Sequence, residues 1–160
     1  MTKKNRLWAP WRMAYIQGPK TKGCFLCRII KEKKDAKNFV LLRTRKAIAL
    51  LNTYPYNNGH VMVVPTAHVK HLEQLKTEEI TQSFAQTKKI IRALKKAVKP
   101  CGFNIGINLG KAAGAGLESH IHIHIVPRWD GDTNFMPTLA GTKVISQSLK
   151  TTYKAIKKQL

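Results

Sequence analysis

Acidic residues are scarce in this 160-residue chain, which has 8 aspartates and glutamates against 29 lysines and arginines. The formal net charge of +21 at pH 7 attracts polyanions, either nucleic acid or small phosphorylated ligands. The basic residues are spread along the chain in short groups, mostly where helix faces would be solvated. This distribution favours a generally basic surface over a dedicated nucleic-acid groove.

Long apolar runs and cysteines are also few. No stretch approaches the roughly 20 apolar residues that a helix needs to cross a bilayer, so we expect no membrane association. The N-terminus is basic, but Pro10 and Arg12 interrupt the apolar run that a secretion signal needs. The odd number of three cysteines fits a reducing compartment better than a disulfide framework. We therefore expect a cytoplasmic protein.

No internal repeat or low-complexity linker divides the chain, and its length suits one domain. Residues 1–22 are rich in Trp, Pro and Arg. We expect them to form an irregular arm, with Trp8 and Trp11 packing onto a single domain that spans residues 23–160.

Short apolar runs bounded by turn residues predict strands over 39–43, 47–52 and 60–65. The run FNIGINL alternates, and the residues predicted to face inward are Phe103, Ile105, Ile107 and Leu109. A helix is predicted over 77–98, capped by Thr77. The apolar stripe predicted for this helix comprises Ile80, Phe84, Ile91, Leu94 and Val98.

A final helix is predicted over roughly 144–159, and its predicted apolar side comprises Ile145, Leu149, Tyr153 and Ile156. Strand hairpins that bracket one long helix, without regular βαβ alternation, indicate an α+β fold with a mainly antiparallel sheet of about five strands.

Three histidines separated by isoleucines dominate the run HIHIHIVPRW, residues 120–129. In an extended strand His120, His122 and His124, which we call the histidine row, share one face, and the isoleucines face the core. Residues two apart lie roughly 6.6–6.8 Å apart along a strand. Zinc binds histidine nitrogen at about 2.0–2.1 Å, so one metal can join neighbours in the row but not all three. Imidazole also suits nucleophilic and acid–base chemistry near neutral pH.

The pattern resembles the signature of the histidine triad (HIT) superfamily of nucleotide hydrolases and transferases. The resemblance extends over LLNTYPYNNGHVMVVP, GFNIGINLG and AGAGLESHIHIHIVPRWDGDTNF. The arm LWAPWRMAY and the Pro-Arg-Trp after the histidine row look most like bacterial diadenosine tetraphosphate phosphorylases. The resemblance implies a HIT-like fold and cleavage of dinucleoside polyphosphates, with water or phosphate as acceptor. It also implies a homodimer whose two sheets join edge to edge.

The same resemblance implies roles for four histidines. His122 would attack the α-phosphorus and form a nucleotidyl-histidine intermediate. Its other ring nitrogen would donate to a backbone carbonyl, which fixes the tautomer. His124 would bind phosphate and help to protonate the leaving oxygen, His60 would lie alongside as a further donor, and His120 would complete the catalytic group.

Five further positions are expected to bind the nucleotide. Asn52 lies where the family places a nucleotide-contacting asparagine, and Asn108 lies where eukaryotic hydrolases carry a phosphate-binding glutamine. Gly114 and Gly116, in a glycine-rich loop, would present backbone N–H groups to phosphate. Trp129 would either stack on a base or fill the core.

CFLC, with Cys24 and Cys27, is a Cys-x₂-Cys half-site that needs two more ligands to hold zinc. Several HIT relatives complete it with two histidines, which here would be His68 and His120. His71 competes for the third position. We expect this zinc to be structural, and we expect no organic cofactor. The alternative is a pair of free thiols in a turn.

Three other functions compete with dinucleoside polyphosphate cleavage. An adenosine phosphoramidase would use the same histidines, but the Pro-Arg-Trp after the row argues against that branch. A basic nucleic-acid-binding module would need only the positive field, and no RNA-binding aromatic motif supports it. A catalytic metal hydrolase built on the row lacks suitably placed carboxylates, since Asp130 and Asp132 follow the strand and only Glu118 lies close before it.

Overall fold

The computed structural model describes residues 23–134 and 144–160. Five strands form one antiparallel sheet in the order β1-β2-β3-β5-β4. They are β1 (Val40–Arg43), β2 (Ala47–Leu51), β3 (Val61–Pro65), β4 (Gly102–Ile107) and β5 (Ile123–Arg128). The α+β prediction is therefore confirmed. The predicted arm, with Trp8 and Trp11, lies outside the described residues.

Three α-helices accompany the sheet in the described ranges: α1 (Phe25–Glu32), α2 (Thr77–Val98) and α3 (Leu149–Lys157). Short 3₁₀ turns cover Leu72–Gln74 and Lys111–Ala113. None of the helices in these ranges is both long enough and apolar enough to span a membrane.

The bounds of α2 agree with the prediction, but its predicted cap is wrong. Thr77 is the first helical residue, and Lys76 occupies the cap position. The Glu79 side chain accepts the Lys76 N–H at 2.9 Å and so provides the terminal hydrogen bond.

The start predicted for the final helix is also wrong, because α3 begins at Leu149 rather than near residue 144. Ser148 explains the boundary, since its side-chain oxygen accepts the Thr151 N–H at 3.2 Å as an N-cap.

The sheet has a core on each face. The face covered by α2 and α3, which we call the α2 face, carries Ala49, Leu51, Val61, Val63, Ile123 and Ile125. The opposite α1 face carries Ile48, Leu50, Met62 and Val64, which pack with Leu26 and Ile29 of α1. Because side chains alternate along a strand, the even-numbered residues of β5 lie on the α1 face.

The apolar stripe predicted for α2 is wrong in part, because Phe84 is 52% exposed. The buried face is more polar than expected and comprises Glu79, Ser83, Gln86, Thr87, Ile90, Ala93 and Leu94. Its donors are bonded: Ser83 Oγ donates to the Glu79 carbonyl at 2.7 Å, and Gln86 Nε2 donates to the Ala47 carbonyl at 2.6 Å. Gln86 Oε1 is buried without a hydrogen-bond partner among the described residues. These bonds allow polar side chains to be buried beside β2.

The burial predicted for the inward side of FNIGINL is wrong at Ile105 and Leu109, which are 47% and 44% exposed, although Ile105 is paired with Ile125 of the α2 face. The physical reason is the position of β4 at the edge of the sheet, next to β5 alone. α2 packs mainly on β2 and β3 and leaves the outer side of β4 uncovered.

Candidate active site and metal centre

The histidine row does not lie in a single strand, because β5 begins at Ile123 and only His124 belongs to it. The predicted strand therefore starts too early. The isoleucines of the run are buried as expected. The ring centroids of His122 and His124 are 4.7 Å apart, whereas the ring of His120 lies against that of His68 at 5.1 Å.

His122 is fixed in one tautomer by the backbone. Its Nδ1–H donates to the His120 carbonyl at 2.8 Å, so the lone pair lies on Nε2. Burial lowers the pKa of His122, and the bond to the His120 carbonyl opposes that shift. The result is a neutral imidazole with a free nitrogen, which is the form that a nucleophile requires.

His60 and His124 form a directed pair. The Tyr56 backbone N–H donates to His60 Nδ1 at 3.0 Å, so the His60 proton lies on Nε2. His60 Nε2 lies 2.9 Å from His124 Nδ1, and His124 must therefore accept at Nδ1 and carry its own proton on Nε2. One backbone amide thus sets the tautomers of two rings.

Both rings of this pair are neutral at physiological pH. Burial lowers the pKa of His60 to about 3, and the nearby His124 and His122 add to the shift. Burial likewise lowers the pKa of His124 to about 4, with a further contribution from His122. A neutral His124 donates a hydrogen bond through Nε2 without carrying a charge of its own.

The surface next to His124 is open on the side of β4. In the sheet register His124 is paired with Met62 on β3 and with Gly106 on β4. A Cβ atom placed at Gly106 would meet nothing within 4 Å among the described residues beyond its chain neighbours, so the position that a side chain would fill next to His124 is open in this part of the chain. His122 and His124 are each 8% exposed, and the open position at Gly106 is a candidate approach for a ligand.

Asn108 and Gly114 meet at the same end of the sheet. Ile107 is paired with Ile123, so Asn108 follows at the level of His122. A Cβ atom at Gly114 would lie 3.9 Å from Asn108 Nδ2, and the φ of Gly114 is +86°, which favours glycine. The glycine-rich loop therefore folds back towards the side-chain amide of Asn108.

The remaining predicted binding residues are Asn52, Gly116 and Trp129. Asn52 Oδ1 accepts the Tyr54 N–H at 2.8 Å and begins the loop that leads to His60. Gly116 has open space around its Cβ position. Trp129 is half-buried and donates through its indole N–H to the Lys99 carbonyl at 3.2 Å. It follows β5, roughly 16 Å along the strand from His124, so within one chain it does not line the histidine cluster.

A small apolar cleft lies on the α2 face, lined in part by Ile80, Phe84, Ile121 and Ile123. His122 also borders it. Because the isoleucines alternate with the histidines, this cleft lies behind the rings. The open position at Gly106 lies on the opposite, α1 face of the sheet, which is also the face of His124.

Two cysteines and two histidines converge beside this site: Cys24, Cys27, His68 and His120, whose ligand atoms all lie within 4.8 Å of one another. Cys27 Sγ lies 3.1 Å from His68 Nδ1, Cys24 Sγ lies 3.3 Å from His120 Nδ1, and the two histidine Nδ1 atoms are 3.4 Å apart. A tetrahedral zinc with ordinary bond lengths requires edges of roughly 3.3–3.8 Å. Two of these distances lie in that range and the Cys27–His68 distance is slightly shorter, so the donor set is compatible with zinc. His71 is not in the cluster.

The outer ring nitrogen of His120 supports this arrangement. Its Nε2–H donates to the Pro65 carbonyl at 2.9 Å, which leaves Nδ1 as the lone-pair nitrogen that faces the cysteines. A backbone acceptor on the far nitrogen is typical of metal-binding histidines.

Sequence reasoning missed Tyr56, Asn57, Arg128 and Asp132. The Tyr56 ring packs on His60 with centroids 4.6 Å apart, and Asn57 donates to Asp132 across 75 residues of sequence. A turn composition such as YPYNNGH predicts where the chain reverses but not which distant carboxylate it will bind.

The comparisons with known proteins agree with this architecture. The family model for the HIT domain matches residues 33–131, and the chain belongs to the HIT family. Among its relatives, the AP-4-A phosphorylase of Mycobacterium tuberculosis is 42% identical over 155 residues, which covers 92% of this chain and 80% of that protein.

Two further relatives are informative. An asymmetrical bis(5′-nucleosyl)-tetraphosphatase of Schizosaccharomyces pombe is 36% identical over 93 residues, covering 58% of this chain and 50% of that protein. The crystal structure of a Zn-bound histidine triad family protein from Mycobacterium smegmatis superposes with a TM-score of 0.69 at 27% identity. That match covers 86% of this chain and 92% of the other.

Proposed function

We propose that this protein cleaves dinucleoside polyphosphates, diadenosine tetraphosphate among them, by transferring a nucleotidyl group first to His122 and then to water or phosphate. The observation that carries the proposal is the complementary protonation of two adjacent rings. His122 offers a lone pair at Nε2 while His124 offers an N–H at Nε2, with ring centroids 4.7 Å apart.

In the first step the His122 Nε2 lone pair forms a bond to the α-phosphorus. The bond from phosphorus to the bridging oxygen breaks, and its electron pair leaves with the released nucleoside polyphosphate. His124 Nε2–H donates a hydrogen bond to that oxygen as negative charge develops on it. The positive charge that grows on the His122 ring is stabilised by the bond from Nδ1–H to the His120 carbonyl.

In the second step an oxygen of water or phosphate forms the new bond to phosphorus. The N–P bond breaks, and its electron pair returns to His122 Nε2. With phosphate as acceptor the product is a nucleoside diphosphate, and with water it is a monophosphate. Asn108 and the loop around Gly114 are proposed to hold the phosphate oxygens, and Asn52 the nucleoside. The basic surface favours a substrate of this charge.

One assay separates the activities. Diadenosine tetraphosphate is incubated with the protein, with and without phosphate, and the products are identified. ADP plus ATP indicates phosphorolysis, AMP plus ATP asymmetric hydrolysis, and two ADP symmetric hydrolysis. His122→Ala should abolish turnover, whereas His71→Ala, which replaces an exposed histidine outside the metal cluster, should not. Absence of cleavage by the wild-type protein, alongside release of AMP from adenosine 5′-phosphoramidate, would favour the phosphoramidase.

We also propose a structural zinc ion on Cys24, Cys27, His68 and His120. The ion would tie α1 to β3 and to the start of β5 by four coordinate bonds and would supply folding free energy rather than reaction chemistry. The convergence of four ligand atoms within 4.8 Å of one another and the Zn-bound relative support it. Protein purified without chelator or nickel should contain one zinc per chain, and Cys27→Ser should lose it. Metal-free wild-type protein of full stability would refute the site.

A homodimer joined along β4 is proposed as the assembly. The outer edge of this strand is uncovered and carries the exposed Ile105, with Leu109 just beyond. Such an edge pairs readily with another strand. Sedimentation at micromolar concentration tests the dimer, and a monomer at that concentration would contradict it.

A cytoplasmic location is proposed as well. It is supported by three free cysteines, two of them arranged for a metal.

A further inference from the structure

The loop that carries Tyr56 and His60 is held by a side chain outside the histidine cluster. Asn57 lies between these two residues and is only 7% exposed. Its carbonyl accepts the His60 N–H at 3.2 Å. Its Nδ2 donates to the Pro127 carbonyl at 3.0 Å and to Asp132 Oδ2 at 2.7 Å. Both protons of the side-chain amide are therefore bonded to the segment at the end of β5.

The Asp132 carboxylate is the centre of this contact. Its side chain is 7% exposed, and Arg128 reaches it through Nε at 2.7 Å and through Nη2 at 2.8 Å. The Trp129 backbone N–H and the Thr133 hydroxyl also donate to it, at 3.1 and 3.2 Å. These bonds hold the pKa of Asp132 well below its usual range, and the group remains an anion that accepts from Asn57.

The loop has little room to shift. Gly59 has a φ of +72°, and a Cβ atom there would lie 3.2 Å from both Leu94 Cδ2 and Pro127 Cγ. A larger residue at this turn would be strained by the positive φ and would press on side chains of α2 and β5. The Tyr56 amide directly precedes Asn57 in this loop, and Asn57 is bonded on both sides, to His60 N–H and to the end of β5; its anchoring therefore helps to set the position of the Tyr56 amide.

From these contacts we propose that Asn57 and Asp132, which we call the Asn57–Asp132 pair, are positioning residues for the leaving-group donor His124. The pair anchors the loop, the loop aims the Tyr56 N–H at His60 Nδ1, and this bond places the His60 proton opposite His124 Nδ1. His124 is thereby left with its proton on Nε2, where it meets the leaving oxygen. The inference rests on the proposed function.

The proposal predicts a selective defect rather than a general one. A hydrogen bond to the leaving oxygen contributes more when that oxygen is more basic, because more negative charge must be stabilised in the transition state. Attack by His122 depends on a different bond, from Nδ1–H to the His120 carbonyl. Loss of the Asn57–Asp132 pair should therefore slow substrates with basic leaving groups and spare those with acidic ones.

The experiment uses a series of aryl esters of AMP, from 2,4-dinitrophenyl to phenyl, the latter with a leaving-group pKa of about 10 as in tyrosine. The variants are Asn57→Ala and the nearly isosteric Asp132→Asn. The matched control is Asn58→Ala, which changes the same residue type in the same loop. The Asn58 side chain bonds instead to Ser146 at 2.6 Å. Nitrogen-15 NMR of the histidine rings reports the tautomers of His60 and His124 independently of turnover.

With Asn57→Ala we expect kcat/KM for the dinitrophenyl ester to stay within about 2-fold of wild type. For the most basic esters that are turned over, we expect a fall of about 10- to 100-fold. Asp132→Asn should give the same trend more weakly, Asn58→Ala should parallel wild type, and the His60 ring should show mixed tautomers only in the first two variants.

Equal losses across the whole series, or no loss in either variant, would overturn the proposal. If Asn57→Ala does not fold, Asp132→Asn decides, and an unchanged tautomer with an unchanged leaving-group slope overturns it. If the wild-type protein cleaves neither any of the esters nor diadenosine tetraphosphate, the proposed function is refuted instead.

Discussion

His60 makes the free energy of unfolding depend on pH, and the direction of this dependence follows from its lowered pKa. Burial lowers its pKa from the ordinary 6.5 to about 3, so the native state keeps it neutral while the unfolded chain takes up a proton below pH 6.5. Stability linked to His60 is therefore fully present above pH 6.5 and falls as the pH drops from there towards 3.

The magnitude follows from the two pKa values. Each pH unit in this window costs about 1.4 kcal/mol, and integration from pH 7.5 to 4.5 gives a loss of about 2.7 kcal/mol from His60 alone. Since native proteins are stable by about 5–15 kcal/mol in total, this loss is large enough to be measured without unfolding the protein.

The assay is urea unfolding of wild type and His60→Gln at pH 7.5, 6.5, 5.5 and 4.5, with zinc supplied equally to both. Glutamine keeps a side-chain N–H for His124 but does not titrate. The free energy of unfolding of wild type should fall by about 2–3 kcal/mol more than that of the variant between pH 7.5 and 4.5. Equal slopes for the two proteins would refute the reasoning, because zinc and all other titrating groups are common to both.

Three further predictions address the approach to the site, the metal and the assembly. Gly106→Val should lower kcat/KM by at least about 10-fold, because the valine side chain would fill the gap beside His124. Its melting temperature should be no lower than that of wild type, because valine favours a strand. Unchanged turnover would contradict the approach over β4. Treatment with a chelator should lower the melting temperature by several degrees, and added zinc should restore it, because the proposed ion would crosslink three segments. No change in thermal scans would argue against the site. Ile105→Lys should shift sedimentation towards the monomer, because a charge at the β4 edge opposes strand pairing, whereas Lys88→Glu on an exposed face of α2 should not.

Most of the fold follows from local sequence patterns. The strands around residues 39–65 and the helix over 77–98 are predictable because apolar runs and turn residues mark their limits locally. The exposure of Ile105 and that of Phe84 are not predictable in this way. Alternation and helical periodicity show which residues share a face, but only the sheet order shows that β4 is an edge strand that α2 leaves uncovered.

The candidate site is likewise predictable only in part from local sequence patterns. The histidine row and the Cys-x₂-Cys half-site are local patterns, and a ligand set that combines Cys24 and Cys27 with His68 and His120 can be proposed through the family resemblance. The Asn57–Asp132 contact joins residues 75 positions apart, and neither residue type identifies its partner. Only the packing of the loop against the end of β5 brings them together.

The central claim is that His122 Nε2 is bonded to phosphorus during each catalytic cycle. Rapid mixing with diadenosine tetraphosphate, a denaturing quench at alkaline pH and mass spectrometry of the intact and digested protein test it directly. We expect the added mass of one adenylyl group on the peptide that contains His122, and none in His122→Ala. Normal turnover by His122→Ala, or an adduct on another residue, would contradict the claim.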